Sequence, residues 1–253
     1  MTTKINIKDC LIVALDTSNE NEAIKLIEIL KDQVTYFKVG LELFCSVGPK
    51  IIKIIKDNGN KVFFDGKFLD IPNTVSKAVS NMVFHRVDML NVHMSGGTKM
   101  LQEAKNALIE TAQKYNLQPP KLLGVSVLTS ITNETLKNDL KIQSQMDEYV
   151  LHLANLAIKN NLDGIICSAH EARLIRGQKS EVRDQNFLIV TPGVRPDWAE
   201  KNDQERITTP KEAILNGANH IVIGRPNTQA KDPRDAVKKI IEEIEDGANK
   251  RFI

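Results

Sequence analysis

The chain contains no apolar run approaching the roughly 18 residues that a membrane-spanning helix needs. The N-terminus, MTTKINIKDCLIVALD, has an apolar run of only about six residues before Asp16, which is not the layout of a signal peptide. Basic and acidic residues nearly balance, 34 against 32, and no basic stripe with interleaved aromatic residues is present. We therefore expect neither a membrane nor a nucleic acid as a partner.

Cysteine is scarce, with Cys10, Cys45 and Cys167 far apart in the chain and odd in number. Each lies in an apolar segment, which predicts buried reduced thiols and not a disulfide framework or a zinc site. The five histidines show no HExxH or similar metal spacing, so no metal is expected. These features predict a reduced, cytoplasmic compartment.

Short β-branched runs alternate with longer amphipathic stretches along the whole chain. The predicted strands are Leu11–Leu15, Tyr36–Val39, Val62–Phe64, Met89–Val92, Leu122–Val127, Gly164–Cys167, Leu188–Val190 and His220–Ile223. Apolar residues at three- and four-residue steps predict helices over Glu20–Leu30, Pro49–Lys56, Asn73–Phe84, Thr98–Lys114, Met146–Lys159, Pro210–Asn216 and Asp235–Ile244.

Eight strand–helix alternations indicate right-handed βαβ units and a parallel sheet, hence an α/β protein. The count of eight favours a closed TIM (β/α)8 barrel, with an open doubly wound sheet as the alternative on this pattern. A length of 253 residues suits one barrel domain spanning 1–253. No low-complexity segment or interdomain linker interrupts it.

Nearly every predicted strand ends in polar, Gly or Pro residues, on the side where barrel enzymes build their sites. In the third, FFDGKFLD, Asp65 and Lys67 are two residues apart and would point to the same face of an extended backbone. Lys38 on the neighbouring strand can reach Asp65, and Asp70 lies beyond the strand end. In a set whose charges alternate in sign, each ion is expected to favour the charged form of its neighbour. The alternative is a partly solvated ion-pair network at the barrel rim.

A second group is basic and rich in glycine. TPGVRP and IGRPNT end the seventh and eighth strands, where barrels often hold a phosphate. Arg195 and Arg225 can each make paired hydrogen bonds to phosphate oxygens, and Gln204 in NDQERI can add an amide donor. Surface salt bridges are the alternative for the two arginines. The hydroxyls of VLTS are weaker candidates, because Ser and Thr at strand ends are usually helix caps.

Taken together, these segments resemble the orotidine 5′-phosphate decarboxylase family. DGKFLDIPNT matches its Asp-x-Lys-x-x-Asp signature, and VALD, KVG, NVHxSGG, VLTS, TPGxRP, DQxR and GRPxT match in family order from about Cys10 to Asp235. Gly66 and Asn227 depart from the residues usual at their positions. Neither departure removes a charged group.

The resemblance implies a TIM barrel that dimerises with shared active sites and converts orotidine 5′-monophosphate to UMP without metal or organic cofactor. Lys38, Asp65 and Lys67 would come from one subunit, while Asp70 and Thr74 would reach into the partner's site. Lys67 would protonate the carbanion that loss of CO₂ leaves at C6. The remaining contacts implied are Asp16 and Lys38 to ribose, Thr129 near the nucleotide, and Arg195, Gln204, Gly224 and Arg225 to phosphate.

Two other functions stay open. Metal-dependent relatives of the same barrel group, such as keto-sugar-phosphate decarboxylases and hexulose-phosphate synthases, use Mg²⁺ and carry an acidic residue on strand two. Here that position is Lys38, whose ammonium would repel the ion. A non-catalytic barrel that binds a phosphorylated ligand is the third reading, and retention of all four charged residues speaks against it.

Overall fold

The computed structural model describes residues 6–178, 187–199 and 208–251. Eight parallel strands follow one another in chain order around a closed barrel, in which β1 also pairs with β8. This confirms the (β/α)8 barrel and excludes the open doubly wound sheet. The strands are β1 Leu11–Ala14, β2 Tyr36–Gly40, β3 Lys61–Phe68, β4 Met89–His93, β5 Lys121–Val125, β6 Gly164–Ile166, β7 Leu188–Thr191 and β8 His220–Ile223.

Helices surround the barrel, and all seven predicted ones are present, several with shifted ends. The helices are α1 Ile7–Cys10, α2 Glu20–Leu30, α3 Leu41–Val47, α4 Lys50–Asp57, α5 Pro72–Phe84, α6 Gly97–Lys114, α7 Asn133–Asn138, α8 Met146–Lys159, α9 Ala169–Gly177, α10 Pro210–Leu215, α11 Arg225–Thr228 and α12 Pro233–Arg251, with a 3₁₀ turn at Met94–Gly96. None of those in the described ranges is long and apolar enough to cross a membrane.

Several of the short helices were not predicted, because one or two turns are too brief to show a 3.6-residue period. Helix α9 was also missed, although Ser168 and Glu171 form a capping box at its start. The last helix runs past its predicted end through Gly247. A Cβ at Gly247 would lie 2.8 Å from the Lys211 carbonyl oxygen, so glycine lets α12 pack closely on α10.

Two apolar layers form the core. A large cluster fills the space between strands and helices, and a smaller one fills the barrel interior, with Tyr36, Phe63 and Met89 among its members. Because side chains alternate along a strand, the residues two positions further on also point inward. In β2 and β3 those residues are Lys38 and Asp65. The apolar interior thus serves as the floor beneath the charged strand ends.

At the opposite, N-terminal end of the barrel, three side chains tie neighbouring strands together. The residue preceding each of β4, β6 and β8 accepts a backbone N–H from the strand before it. These bonds join Asp88 to Val62 at 2.8 Å, Asp163 to Leu122 at 3.0 Å, and Asn219 to Ile189 at 2.8 Å. A basic side chain contacts each of these acceptors. Lys56 pairs with Asp88 and Lys105 pairs with Asp163, while Arg176 donates a hydrogen bond to Asn219.

The cysteine prediction was wrong for one residue. Cys10 and Cys167 are buried and free, and burial raises the pKa of Cys10 to about 11 and that of Cys167 well above its ordinary value. Cys45 is exposed. It lies in the apolar segment of α3, but this helix buries Leu43, and the Cys45 side chain lies on the solvent side.

We expect Asp163→Ala to lower the free energy of unfolding by about 2–3 kcal/mol, because it strands the Leu122 N–H and leaves Lys105 unpaired. Urea unfolding at pH 7 measures this loss. Asp235→Ala is the control, since its ion pair with Lys239 is about half exposed and should contribute little. Equal losses in the two variants would contradict the proposed strand tie.

The Asp163 tie should also weaken in acid. Burial raises the pKa of this carboxyl, but hydrogen bonds from Lys105 and Leu122 and the nearby ammonium charges outweigh it, and the pKa lies below its ordinary 3.8. The stabilisation is therefore complete above pH 3.8 and is lost as the pH falls through the lower folded-state value. When urea unfolding is repeated down to pH 3, the difference in free energy of unfolding between the wild type and Asp163→Ala should become smaller.

Candidate active site

Four charged side chains form a continuous row across the carboxyl ends of β1, β2 and β3. Lys38 Nζ lies 2.9 Å from Asp16 Oδ1 and 3.5 Å from Asp65 Oδ2, and Lys67 Nζ lies 2.6 Å from Asp65 Oδ1. Lys38 is only 8% exposed. The predicted contact between Lys38 and Asp65 is confirmed. The row alternates in sign, so it is neutral overall.

The carboxylate of Asp65 is the centre of this row. Burial raises its pKa, but the Lys38 and Lys67 ammonium groups, with hydrogen bonds from Lys67 and Asn91, outweigh burial and hold the pKa below its ordinary value. Asp65 is therefore ionised at neutral pH.

The backbone that carries Lys67 is not the regular extended strand that the two-residue spacing assumed. Lys67 has a φ of 47°, in the left-handed region, and the pairing of β3 with β4 shifts register between Phe64 and Phe68. Lys67 and Asp65 do meet, but at a bulge. Irregularities of this kind are over-represented beside active sites, where they redirect a side chain.

Asn91 is a site residue that the sequence analysis did not identify. It is fully buried on β4; its Nδ2 donates to Asp65 Oδ1 at 2.7 Å, and its Oδ1 accepts the Lys67 N–H at 2.7 Å. A signal was available in the segment MLNVH. Asn91 is two residues beyond the inward-pointing Met89, so strand alternation places it inward, next to the predicted Asp65.

Asp70 and Thr74 lie outside this row. Both are exposed, and Asp70 Oδ1 accepts the N–H of Ile71 at 2.6 Å. Among described residues Asp70 makes no ion pair, so within one chain Asp16 and not Asp70 completes the alternation of charge. The physical reason is that Asp70 comes after β3 has ended, where Pro72 begins α5. That Asp70 and Thr74 serve a partner subunit stays a prediction.

Three of the four predicted phosphate residues line the same cavity as three of the four residues in the charged row. This cavity, of about 240 Å³, is lined by Asp16, Lys38, Asp65, Arg195, Gly224 and Arg225 among others. Arg195 is only 4% exposed and donates its N–H to the Thr208 carbonyl at 3.0 Å, whereas Arg225 is exposed at the start of α11. Gln204 lies outside the described residues, and Thr129 is exposed in the turn after β5.

At two positions beside the charged row, a glycine avoids a clash that any larger residue would make with a charged side chain. A Cβ at Gly40 would lie 2.9 Å from Lys38 Nζ, and one at Gly224 would lie 2.8 Å from Asp16 Oδ2. The backbone of Gly40 is extended, with φ −92° and ψ −179°, and this conformation is open to any residue. Glycine at position 40 is therefore favoured by the room it leaves and not by its backbone conformation.

The departure at Gly66 has a local explanation. A Cβ there would lie 2.4 Å from Phe64 Cε1, because the Phe64 ring covers this position and packs edge-on against Phe44 at 4.8 Å. Asn227 is fully buried, and within the described part of the chain its Oδ1 has no hydrogen-bond partner. Nothing in the structure explains that unpaired oxygen.

The chain is similar to proteins of known name over most of its length. Residues 9–240 match the model of the orotidine 5′-phosphate decarboxylase / HUMPS family. Orotidine 5′-phosphate decarboxylase of Nostoc sp. is 44% identical, covering 93% of this chain and 97% of its own. The enzyme of the same name from Moorella thermoacetica is also 44% identical, over 96% of this chain and 94% of its own.

A solved structure supports the same similarity. The crystal structure of orotidine 5′-phosphate decarboxylase from Lactobacillus acidophilus superposes with a TM-score of 0.81 at 37% identity, covering 93% of this chain and 99% of that one.

We expect Gly40→Ala to push the Lys38 ammonium away from Asp16 and Asp65 and to cost about 1 kcal/mol of stability, the low end of overpacking because the displaced atom ends a flexible side chain. Gly177→Ala is the matched control, because a Cβ there meets no other described residue within 4 Å. Thermal unfolding measures the cost, and a crystal structure shows the displacement. An undisturbed Lys38 in the Gly40→Ala structure would contradict the expectation.

Proposed function

The chain belongs to the orotidine 5′-phosphate decarboxylase / HUMPS family, and we propose that it decarboxylates orotidine 5′-monophosphate to UMP in pyrimidine nucleotide biosynthesis. The observation that carries the proposal is the shared cavity. Its lining combines the alternating charges of Asp16, Lys38 and Asp65 with the two arginines Arg195 and Arg225. We extend the proposal to a cytoplasmic homodimer.

A nucleotide fits this combination of lining residues. Arg195 and Arg225 are suited to the phosphate, since a guanidinium group can make two parallel hydrogen bonds to its oxygens. The Asp16–Lys38 pair supplies an acceptor and a donor for ribose hydroxyls. The pyrimidine would then lie towards Lys67. Phosphate binding contributes energy at a distance from the reacting carbon, and this energy can organise the site for the chemical step.

The chemistry demands a cation at C6. When the bond from C6 to the carboxylate breaks, its electron pair stays on C6 in an in-plane orbital that the ring π system cannot delocalise. A positioned positive charge can stabilise that pair electrostatically. The Lys67 ammonium, held by Asp65 at 2.6 Å, supplies the charge and then transfers its proton to C6. The products are CO₂ and UMP, and Lys67 recovers its proton from water.

Lys38 supports this function over the metal-dependent ones of the same family. Its ammonium lies between Asp16 and Asp65, at 2.9 and 3.5 Å, and occupies the place between the two carboxylates that a divalent cation would need. The three side chains therefore suit a reaction without Mg²⁺. The direct test follows loss of orotate absorbance when purified protein is mixed with orotidine 5′-monophosphate and EDTA. Turnover that stops in EDTA and returns with Mg²⁺ would overturn the proposal.

We expect Lys67→Ala to lower kcat by at least about 10³-fold, because one change removes both the electrostatic stabilisation and the proton donor. UMP should still bind, which calorimetry measures. The matched control is Lys105→Ala, because Lys105 also lies 2.6 Å from an aspartate but at the opposite end of the barrel. That variant should lose stability and keep its kcat. Unchanged turnover in Lys67→Ala would show that Lys67 is not the proton donor.

The shared active site predicts complementation between two inactive variants. If Asp70 serves the partner's site, a hybrid dimer of Asp70→Ala and Lys67→Ala chains contains one intact site and one doubly altered site. Half of the dimers in an equal, re-equilibrated mixture are hybrids, so activity should recover to about one quarter of the wild-type value. A mixture no more active than the mean of its two components would show that Asp70 acts within its own subunit.

A further inference from the structure

The two strands that carry the site differ in length across the bulge. On β4 only Asn91 lies between Leu90 and Val92, whose pairing partners on β3 are Phe64 and Phe68. Three residues, 65–67, therefore stand opposite one. Backbone pairing between β3 and β4 cannot supply hydrogen bonds to every residue over such a stretch. The extra residues of β3 need other hydrogen-bond partners.

The side chain of Asn91 provides that support from the inside of the barrel. Its Oδ1 accepts the N–H of Lys67 at 2.7 Å, at the residue whose φ of 47° is uncommon for anything but glycine. Its Nδ2 donates to Asp65 Oδ1 at 2.7 Å. The orientation of the amide is set by these partners, because a flip would place NH₂ against N–H and oxygen against carboxylate.

The two contacts meet on one oxygen. Asp65 Oδ1 receives both the Asn91 amide at 2.7 Å and the Lys67 ammonium at 2.6 Å, which leaves Oδ2 to Lys38 at 3.5 Å. The amide thus blocks rotation of the carboxylate and at the same time holds the backbone from which the Lys67 side chain starts.

We propose that Asn91 is a positioning residue for the decarboxylation, an inference that rests on the proposed function. Its amide holds the Asp65 carboxylate and the Lys67 backbone in the arrangement that directs the Lys67 ammonium at the reacting carbon. An amide suits this position, because it carries a donor and an acceptor on the same carbon atom. Leucine has the shape without either, and an ionised aspartate has only acceptors.

Asn91→Ala tests the inference. We expect kcat to fall by about 10²-fold, the order of loss that misplacement of a reacting group by 1 Å can cause. KM and the affinity for UMP should change far less, since the phosphate-side residues are untouched. Asn60→Ala is the matched control: Asn60 is 5% exposed and donates to two backbone carbonyls, of Lys31 and Val34, at the far end of β3. It should lose stability without losing kcat.

Asn91→Asp separates positioning from a merely structural role. The new carboxylate would face that of Asp65, and two such groups share a proton because both cannot ionise at close range. While the proton is present the variant has its donor, so kcat should be highest in acid and fall as the pH rises and the proton leaves. Lys38, Lys67 and the nearby His93 are present in both proteins, so the kcat of the variant is divided by that of the wild type at each pH. A flat ratio would contradict the inference.

A crystal structure of Asn91→Ala gives a readout that does not depend on activity. We expect Lys67 to leave the left-handed region and its ammonium to move out of hydrogen-bond distance of Asp65. An unchanged bulge, or an unchanged kcat in the folded variant, would overturn the inference. If the wild type does not release CO₂ from orotidine 5′-monophosphate, the proposed function fails instead, and the structure alone then decides whether Asn91 supports the bulge.

Discussion

The buried carboxylate of Asp65 is the interaction on which the rest of the site depends. A charge in the barrel interior is costly unless it is paired and hydrogen-bonded, and Asp65 meets this condition with two ammonium groups and one amide. Each partner is in turn held in place: Lys38 by Asp16, and Lys67 by its backbone bond to Asn91. A change in the position of this carboxylate would therefore move both lysines.

The charged residues that tie strands together and those that form the candidate site lie at opposite ends of the barrel. At the N-terminal end, Asp88 and Asp163 each combine a backbone bond with a lysine, so their charges tie neighbouring strands together. At the C-terminal end, Asp65 lines a cavity and Lys67 lies on a bulged part of β3. The apolar barrel interior lies between the two ends and separates the two groups of charges.

Much of the fold and part of the site could be predicted from the residues. Strand positions followed from β-branched runs, and the meeting of Lys38 with Asp65 followed from strand adjacency. The bulge could not be predicted, because it depends on how many residues β4 places opposite 65–67. Nor could the exposure of Cys45, since an apolar segment does not say which face of its helix meets the barrel.

The sequence by itself determined the eight alternating strands and helices, the residue types at each strand end, and the family to which they belong, because these depend on local pattern and composition. Only the tertiary structure decided which charges meet. Asp16 joins the row while Asp70 stays outside it, and Asn91 holds Asp65 and Lys67 from a neighbouring strand. These pairings depend on register and closure of the barrel, which bring together groups that are distant in the chain.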